Sequence, residues 1–205
     1  MKKTKQVSLQ RMRKSWRPFA QNSLSVAVVS AMLAGCGDTE DATIYQGVDD
    51  CSGDNPDFAE QCKAAYEYAL EEAGRTGPKY NTENECSQEF GANACVQAPR
   101  SNWFMPAMTG FMFARMMTNN RPYYSQPMYS SRYSGSIFHD RWVSSDGQDY
   151  GSSRYKKSTV KVGRDQMKPK PTATKTMSRG GFGSTVSAKS SWGSSKSSSS
   201  KSWGG

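Results

Sequence analysis

Five cysteines, a methionine-rich run and a single histidine are the residues of this 205-residue chain whose types and spacing could do chemistry. Cys36 stands apart from the others. It ends an apolar stretch, residues 23–35, that follows seven Lys and Arg and no acidic residue. A positive start, a short apolar segment and small residues (Ala34, Gly35) read as an export signal, and the segment is too short to cross a bilayer. Cys51, Cys62, Cys86 and Cys95 remain, an even set in an exported chain, which reads as two disulfides. The rivals are zinc ligation and a redox pair. No C-x-x-C spacing occurs and His139 is remote in sequence, so neither is favoured. His139 beside Asp140, in a chain rich in serine, invites a hydrolase reading. No G-x-S-x-G elbow accompanies it, so no catalytic residue, metal or cofactor is assigned and an enzyme is not expected.

Leu33-Ala34-Gly35-Cys36 resembles the lipobox of bacterial lipoproteins. The resemblance implies that residues 1–35 are removed and that the Cys36 thiol carries a diacylglycerol. A thiolate is the nucleophile such a thioether requires. Each buried CH₂ of an acyl chain adds about 0.8 kcal/mol, so two or more chains anchor stably. Gly37, not Asp, follows Cys36. That favours the outer membrane, with the chain on its periplasmic face.

The third chemical feature is WFMPAMTGFMFARMM, residues 103–117. Met105, Met108, Met112 and Met116 recur at helical spacing, beside a row containing Phe104 and Phe111. The first reading is a core helix with one edge left exposed for a partner, its interaction residues being Trp103, Phe104, Met105, Met108, Phe111, Met112 and Met116. The second is an apolar surface lying on a membrane or a partner. The third is a Cu(I) site of thioethers. The methionines interleave with Phe and not with polar residues or His, so copper is the least favoured.

Two helices precede this run. Asn55-Pro56 marks a start, and Phe58, Cys62, Ala65, Tyr66, Ala69, Leu70 and Ala73 form an apolar stripe that Gly74 and Gly77-Pro78 end. Thr82 and Glu85 form a capping box opening a second helix through Cys86 to Gly91. If these helices are antiparallel, Cys62–Cys86 is an awkward rung. Cys51–Cys62 with Cys86–Cys95, or Cys51–Cys86 with Cys62–Cys95, fits better, the local pairing being preferred. The expected fold is therefore a small, mainly α, disulfide-stapled domain followed by a long disordered tail. The expected divisions are a signal peptide (1–35), a tether (36–44), the helical domain (45–117) and a basic Ser/Gly/Tyr-rich tail (118–205).

Taken in order, the lipobox, YQGVDDC (45–51), GPKY (77–80), ENECSQEFGANAC (83–95), the methionine run and SRGGFGS (178–184) resemble the YgiB family of enterobacterial envelope proteins. The resemblance covers nearly the whole chain. It implies an uncharacterised lipoprotein and brings no catalytic residue. Gly77 stands where the family pattern leads one to expect Ala.

Charge is segregated. Residues 36–102 carry a net −10 and residues 118–205 a net +11. The tail has no Leu, and residues 178–205 are mostly Ser and Gly. This is a disordered composition, although Asp146-Gly147 between Trp142 and Tyr150 marks a possible hairpin. SRGGFG resembles single-strand RNA binders, but an exported chain meets little nucleic acid. The expected partners are the membrane, through the anchor, and anionic envelope components or an envelope protein. The expected role is structural or interactive, with an accessory subunit of an envelope enzyme or transporter as the alternative.

Overall fold

A computed structural model of the chain describes residues 39–116 and 123–194, with side chains through residue 190. Cys36, Trp192 and Trp203 therefore lie outside the described side chains. Eight strands and four helices follow one another: β1 (Thr39–Tyr45), α1 (Val48–Asp54), α2 (Ala59–Thr76), α3 (Glu83–Phe90), β2 (Cys95–Gln97), β3 (Phe104–Pro106), β4 (Gly110–Arg115), β5 (Tyr123–Tyr129), β6 (Arg141–Ser144), β7 (Asp149–Ser152), β8 (Lys157–Gly163) and α4 (Gly181–Ser194). A 3₁₀ turn, Pro56–Phe58, joins α1 to α2.

Six strands form one antiparallel sheet in the order β7-β6-β5-β4-β1-β8, while β2 and β3 make a separate ribbon. The large sheet curls into a nearly closed barrel. One buried cluster draws Ala42 and Ile44 from β1, Met112 and Ala114 from β4, Met128 from β5, Trp142 from β6 and Val162 from β8, with Tyr150 of β7 against it. A sheet whose strands all reach one interior must wrap around it. The edge strands approach each other where Ser158 Oγ donates to the Ser152 carbonyl.

This architecture overturns the mainly α expectation. It also removes the boundary at 117/118, because β4 and β5 pair across it from Gly110↔Met128 to Arg115↔Tyr123. Residues 39–44, expected in a tether, lie in β1, which pairs with β8 from Thr39↔Gly163 to Tyr45↔Lys157. The stretch from residue 123 to residue 190 is folded. Its core comes from aromatic side chains: Trp142, Tyr129, Phe138 and Phe182 are all fully buried.

The methionine run is two strands, not a helix. Pro106 has no N–H for a helical ladder, and residues 107–109 belong to neither strand before β4 begins. Along β4, Met112 and Ala114 enter the barrel, while Phe111 and Phe113 face the outer cluster that contains Cys51, Cys62, Ala65 and Ala69. A strand covered on both faces reads as a continuous apolar run, which hides its period of two. The small residues Cys62, Ala65, Ala69 and Ala73 let α2 lie close on the sheet, and the Ser125 hydroxyl donates to the Ala65 carbonyl at 2.7 Å. Leu70, assigned to this apolar face, is 46% exposed.

Thr82 caps α3, its Oγ1 accepting from Glu85 N at 3.2 Å, and Gly91 closes α3 at φ 105°. Asn55 holds the N-cap position of the Pro56–Phe58 turn, with Pro56 first in it as expected, but its side chain makes no capping bond. Its amide instead donates to Cys51 O and Tyr45 Oη. The disulfides are the local pair, Cys51–Cys62 and Cys86–Cys95. Part of the basic second half answers the acidic first half within one molecule, through Lys157–Asp54, Lys161–Asp41 and Arg164–Glu40. Such exposed pairs contribute little individually.

Candidate functional site

Gly77 and Pro78 end α2, and the next two residues thread a crowded corner. Tyr80 exchanges backbone hydrogen bonds with Phe104, and Met177 N–H donates to the Lys79 carbonyl. Lys79 is 4% exposed. Its ammonium donates to the Gly74 carbonyl at 2.7 Å and reaches Met105 Sδ at 3.4 Å. Burial pulls its pKa down to about 8.

The buried Tyr80 hydroxyl donates to Oε2 of Glu89 on α3. Burial, and then this bond to Glu89, push the Tyr80 pKa well above its ordinary value, so it remains a donor. The other carboxylate oxygen, Oε1, accepts from the Gly183 N–H at 3.0 Å, in the first turn of α4. Glu89 thus caps a helix far away in sequence, where a negative group meets unsatisfied N–H donors and the positive end of the dipole. Ser131 Oγ donates to the Glu89 carbonyl at 2.6 Å.

Beneath this network, Phe90 is the hub of an aromatic cluster. Its ring centroid lies 5.1 Å from Phe138, 5.5 Å from Phe182, and 6.3 Å from both Tyr80 and Tyr129. Phe182 meets Phe138 edge-on at 5.4 Å. A cleft of about 560 Å³ opens above these rings, within the usual range for ligand sites. Glu89, Phe138 and Gly183 line it, and Gln88 joins Arg179 across it at 3.0 Å. Two exposed apolar side chains, Tyr133 (49%) and Ile137 (57%), stand on its border. Mixed apolar and hydrogen-bonding walls suit recognition of another side chain or small molecule.

The blocks GPKY, ENECSQEF, WFMPAM and SRGGFGS all meet at this corner. A model of a protein family of unknown function, DUF1190, matches residues 39–193. The chain belongs to that family. Its relatives include UPF0441 proteins of the YgiB family. Those of Serratia proteamaculans and Pectobacterium atrosepticum are each 38% identical, with all of both chains covered. That of Yersinia enterocolitica is 36% identical over 93% of this chain and 92% of its own. No solved structure matches. The family model's match begins where β1 begins and ends within α4. No activity is assigned to the family.

The methionine-run residues are dispersed. Met105, Phe111 and Met112 are buried, whereas Trp103, Phe104 and Met108 pack half-buried against the aromatic core. Met116 is half-buried past the end of β4. They do not form one surface. Cys51, Cys62 and Cys86 are fully buried in their disulfides. Among the described residues no group of His, Cys, Asp or Glu is arranged to hold a metal. His139 stands 3.7 Å from Asp140, whose carboxylate also takes Arg154. Sequence reasoning missed Tyr80, Glu89 and Phe182. The available signal was Gly-Gly-Phe-Gly, a single aromatic residue in a glycine turn, which marks a ring that must dock.

Proposed function

We propose that this chain is an exported, lipid-anchored interaction module of the bacterial envelope, held at the outer membrane through Cys36 and facing the periplasm. The observation that carries this reading is the use of four cysteines in two local disulfides, the bonding state an oxidising compartment supports. In sequence, the lipobox-like Leu33-Ala34-Gly35-Cys36 ends three residues before β1 begins. In this reading the cleft beside Tyr133 and Ile137 engages another envelope protein or an anionic envelope component, and the role is structural, not catalytic. An accessory subunit of an envelope enzyme or transporter is the same reading with a different partner.

Radiolabelled palmitate tests the anchor. It should enter the wild type in a growing bacterium and not Cys36→Ala, which should leave the membrane fraction or stay uncleaved. Label in Cys36→Ala, with unchanged fractionation, would show that Cys36 is not the anchor.

A further inference from the structure

A second cavity, of about 170 Å³, sits at the other side of the molecule's chemistry: one mouth of the barrel. Five strands end or begin around it. Gln46 follows β1, Thr109 precedes β4, Ser130 follows β5, Asp140 precedes β6 and Ser153 follows β7. Trp142, from the barrel core, lines it as well. Barrel mouths are recurrent ligand sites because strand ends converge there while the packed interior keeps them fixed.

The polar groups around this mouth are unequally satisfied. Thr109 Oγ1 donates to Met128 O at 3.2 Å, and the Ser130 and Ser153 hydroxyls bond each other at 2.7 Å. Asp140 is answered by Arg154 at 3.1 Å and faces His139. Among the described residues, neither the Arg132 guanidinium nor the Gln46 amide has a side-chain partner. Trp142 lines the mouth from the barrel core, and its own indole N–H is sealed from solvent without an acceptor. Asp140 is held at φ 53°, a left-handed conformation that is uncommon for a side-chain-bearing residue. Such conformations concentrate where a site must be shaped. Gly110 lets β4 pack closely against Trp142 and β1. A Cβ there would lie 2.8 Å from the Trp142 ring and 2.6 Å from the Tyr45 carbonyl.

The mouth thus holds surplus donors, one of them a guanidinium, while its single carboxylate is already paired. We infer that it binds a small acceptor-rich ligand carrying an oxyanion, a carboxylate or a phosphate. Arg132 supplies the fork that matches such a group, and the Gln46 amide supplies a further donor. The volume equals that of about five or six waters at roughly 30 Å³ each, so the ligand is small or inserts only its charged end. This site is separate from the Glu89 cleft and does not depend on the anchor.

The test is an NMR titration of the mature Cys36→Ser chain, following the Trp142 indole N–H, assigned by its loss in Trp142→Phe. Three probes are used at constant ionic strength: inorganic phosphate, acetate and glucose. Phosphate, acetate or both should shift the Trp142 signal saturably, and the better of the two names the oxyanion. Arg132→Gln should weaken that binding by about tenfold or more while leaving the melting temperature unchanged, because Arg132 is exposed. Gln46→Ala should weaken it less. Saturation by glucose alone overturns the ligand class. The absence of any saturable shift, or a titration that Arg132→Gln leaves unchanged, overturns the site.

Discussion

Replacing Phe182 by Ala removes a ring that is fully buried between Phe90 at 5.5 Å and Phe138 at 5.4 Å. Burial of a phenyl side chain in a core contributes about 3–5 kcal/mol, within which each aromatic pair supplies about 0.5–1.5 kcal/mol. The fold has one way to limit the damage: α4 can come away from the corner. That route strips the Gly183 N–H from Glu89 Oε1 and the Lys189 ammonium from Asp146, and an unpartnered buried carboxylate oxygen costs about 1–3 kcal/mol. Either way the loss should approach 3 kcal/mol. For a chain of this size that is a fall in melting temperature of about 6–12 °C. The assay is thermal and urea unfolding of the mature Cys36→Ser chain, read by near-ultraviolet circular dichroism with the disulfides intact. Ser187→Ala, on an exposed position of the same helix, should stay within about 0.5 kcal/mol of the parent. If Phe182→Ala melts with the parent, the segment after residue 178 does not dock, and the corner described above does not exist in solution.

Alkylation before and after reduction should find Cys51, Cys62, Cys86 and Cys95 all blocked in protein isolated from the native bacterium, and Cys86→Ser with Cys95→Ser should cost about 2–3 kcal/mol. Burial would raise the Asp146 pKa, but hydrogen bonds from Lys189 and Ser144 and the charge of Lys170 outweigh it and hold the group at about 2. Its contribution of about 2 kcal/mol is present above the unfolded value near 4 and is lost as pH falls through about 2, so Asp146→Asn should lower stability at neutral pH and flatten the acid limb. Lys79 follows the same sign at higher pH, for the opposite reason that its charge is disfavoured by folding: between about pH 8 and the unfolded value near 10.5, the unfolded chain holds a proton that the folded one has released. Stability should therefore rise with pH from 8 to 9.5, by up to about 1.4 kcal/mol per unit, and Lys79→Met should abolish that rise. Gly110→Ala should destabilise by about 1–3 kcal/mol, because its Cβ would meet a backbone carbonyl and the Trp142 ring.

What was legible in the sequence was local. The Thr82–Glu85 cap, the small-residue stripe of α2 and the Asp146-Gly147 turn of the β6–β7 hairpin each carry their signal within a few residues. What was hidden depends on long-range pairing. β1 reads as an acidic linker because its outward residues are Thr39, Asp41 and Thr43, and only Ala42 and Ile44 enter the barrel. β8 shows the period of two, with Val160 and Val162 inward and Lys157, Thr159 and Lys161 outward, but it lies in a segment judged by its lack of Leu. That count failed because the second half builds its core from Trp142, Tyr129, Phe138 and Phe182. The Glu89 site was illegible for a further reason: its parts come from residues 79–80, 89–90, 138 and 177–183, and nothing local ties them together.

Whether the cleft engages a partner is tested by placing a photoreactive side chain at Ile137 in the full-length chain and irradiating intact cells. Ile137 borders the cleft and is 57% exposed. One dominant adduct with an envelope component should form, weaken with Arg179→Ala or Tyr133→Ala, and be absent when the same group is placed at Tyr155, which is exposed and does not line the cleft. An equal set of adducts from both positions, unaffected by Arg179→Ala and Tyr133→Ala, would contradict it.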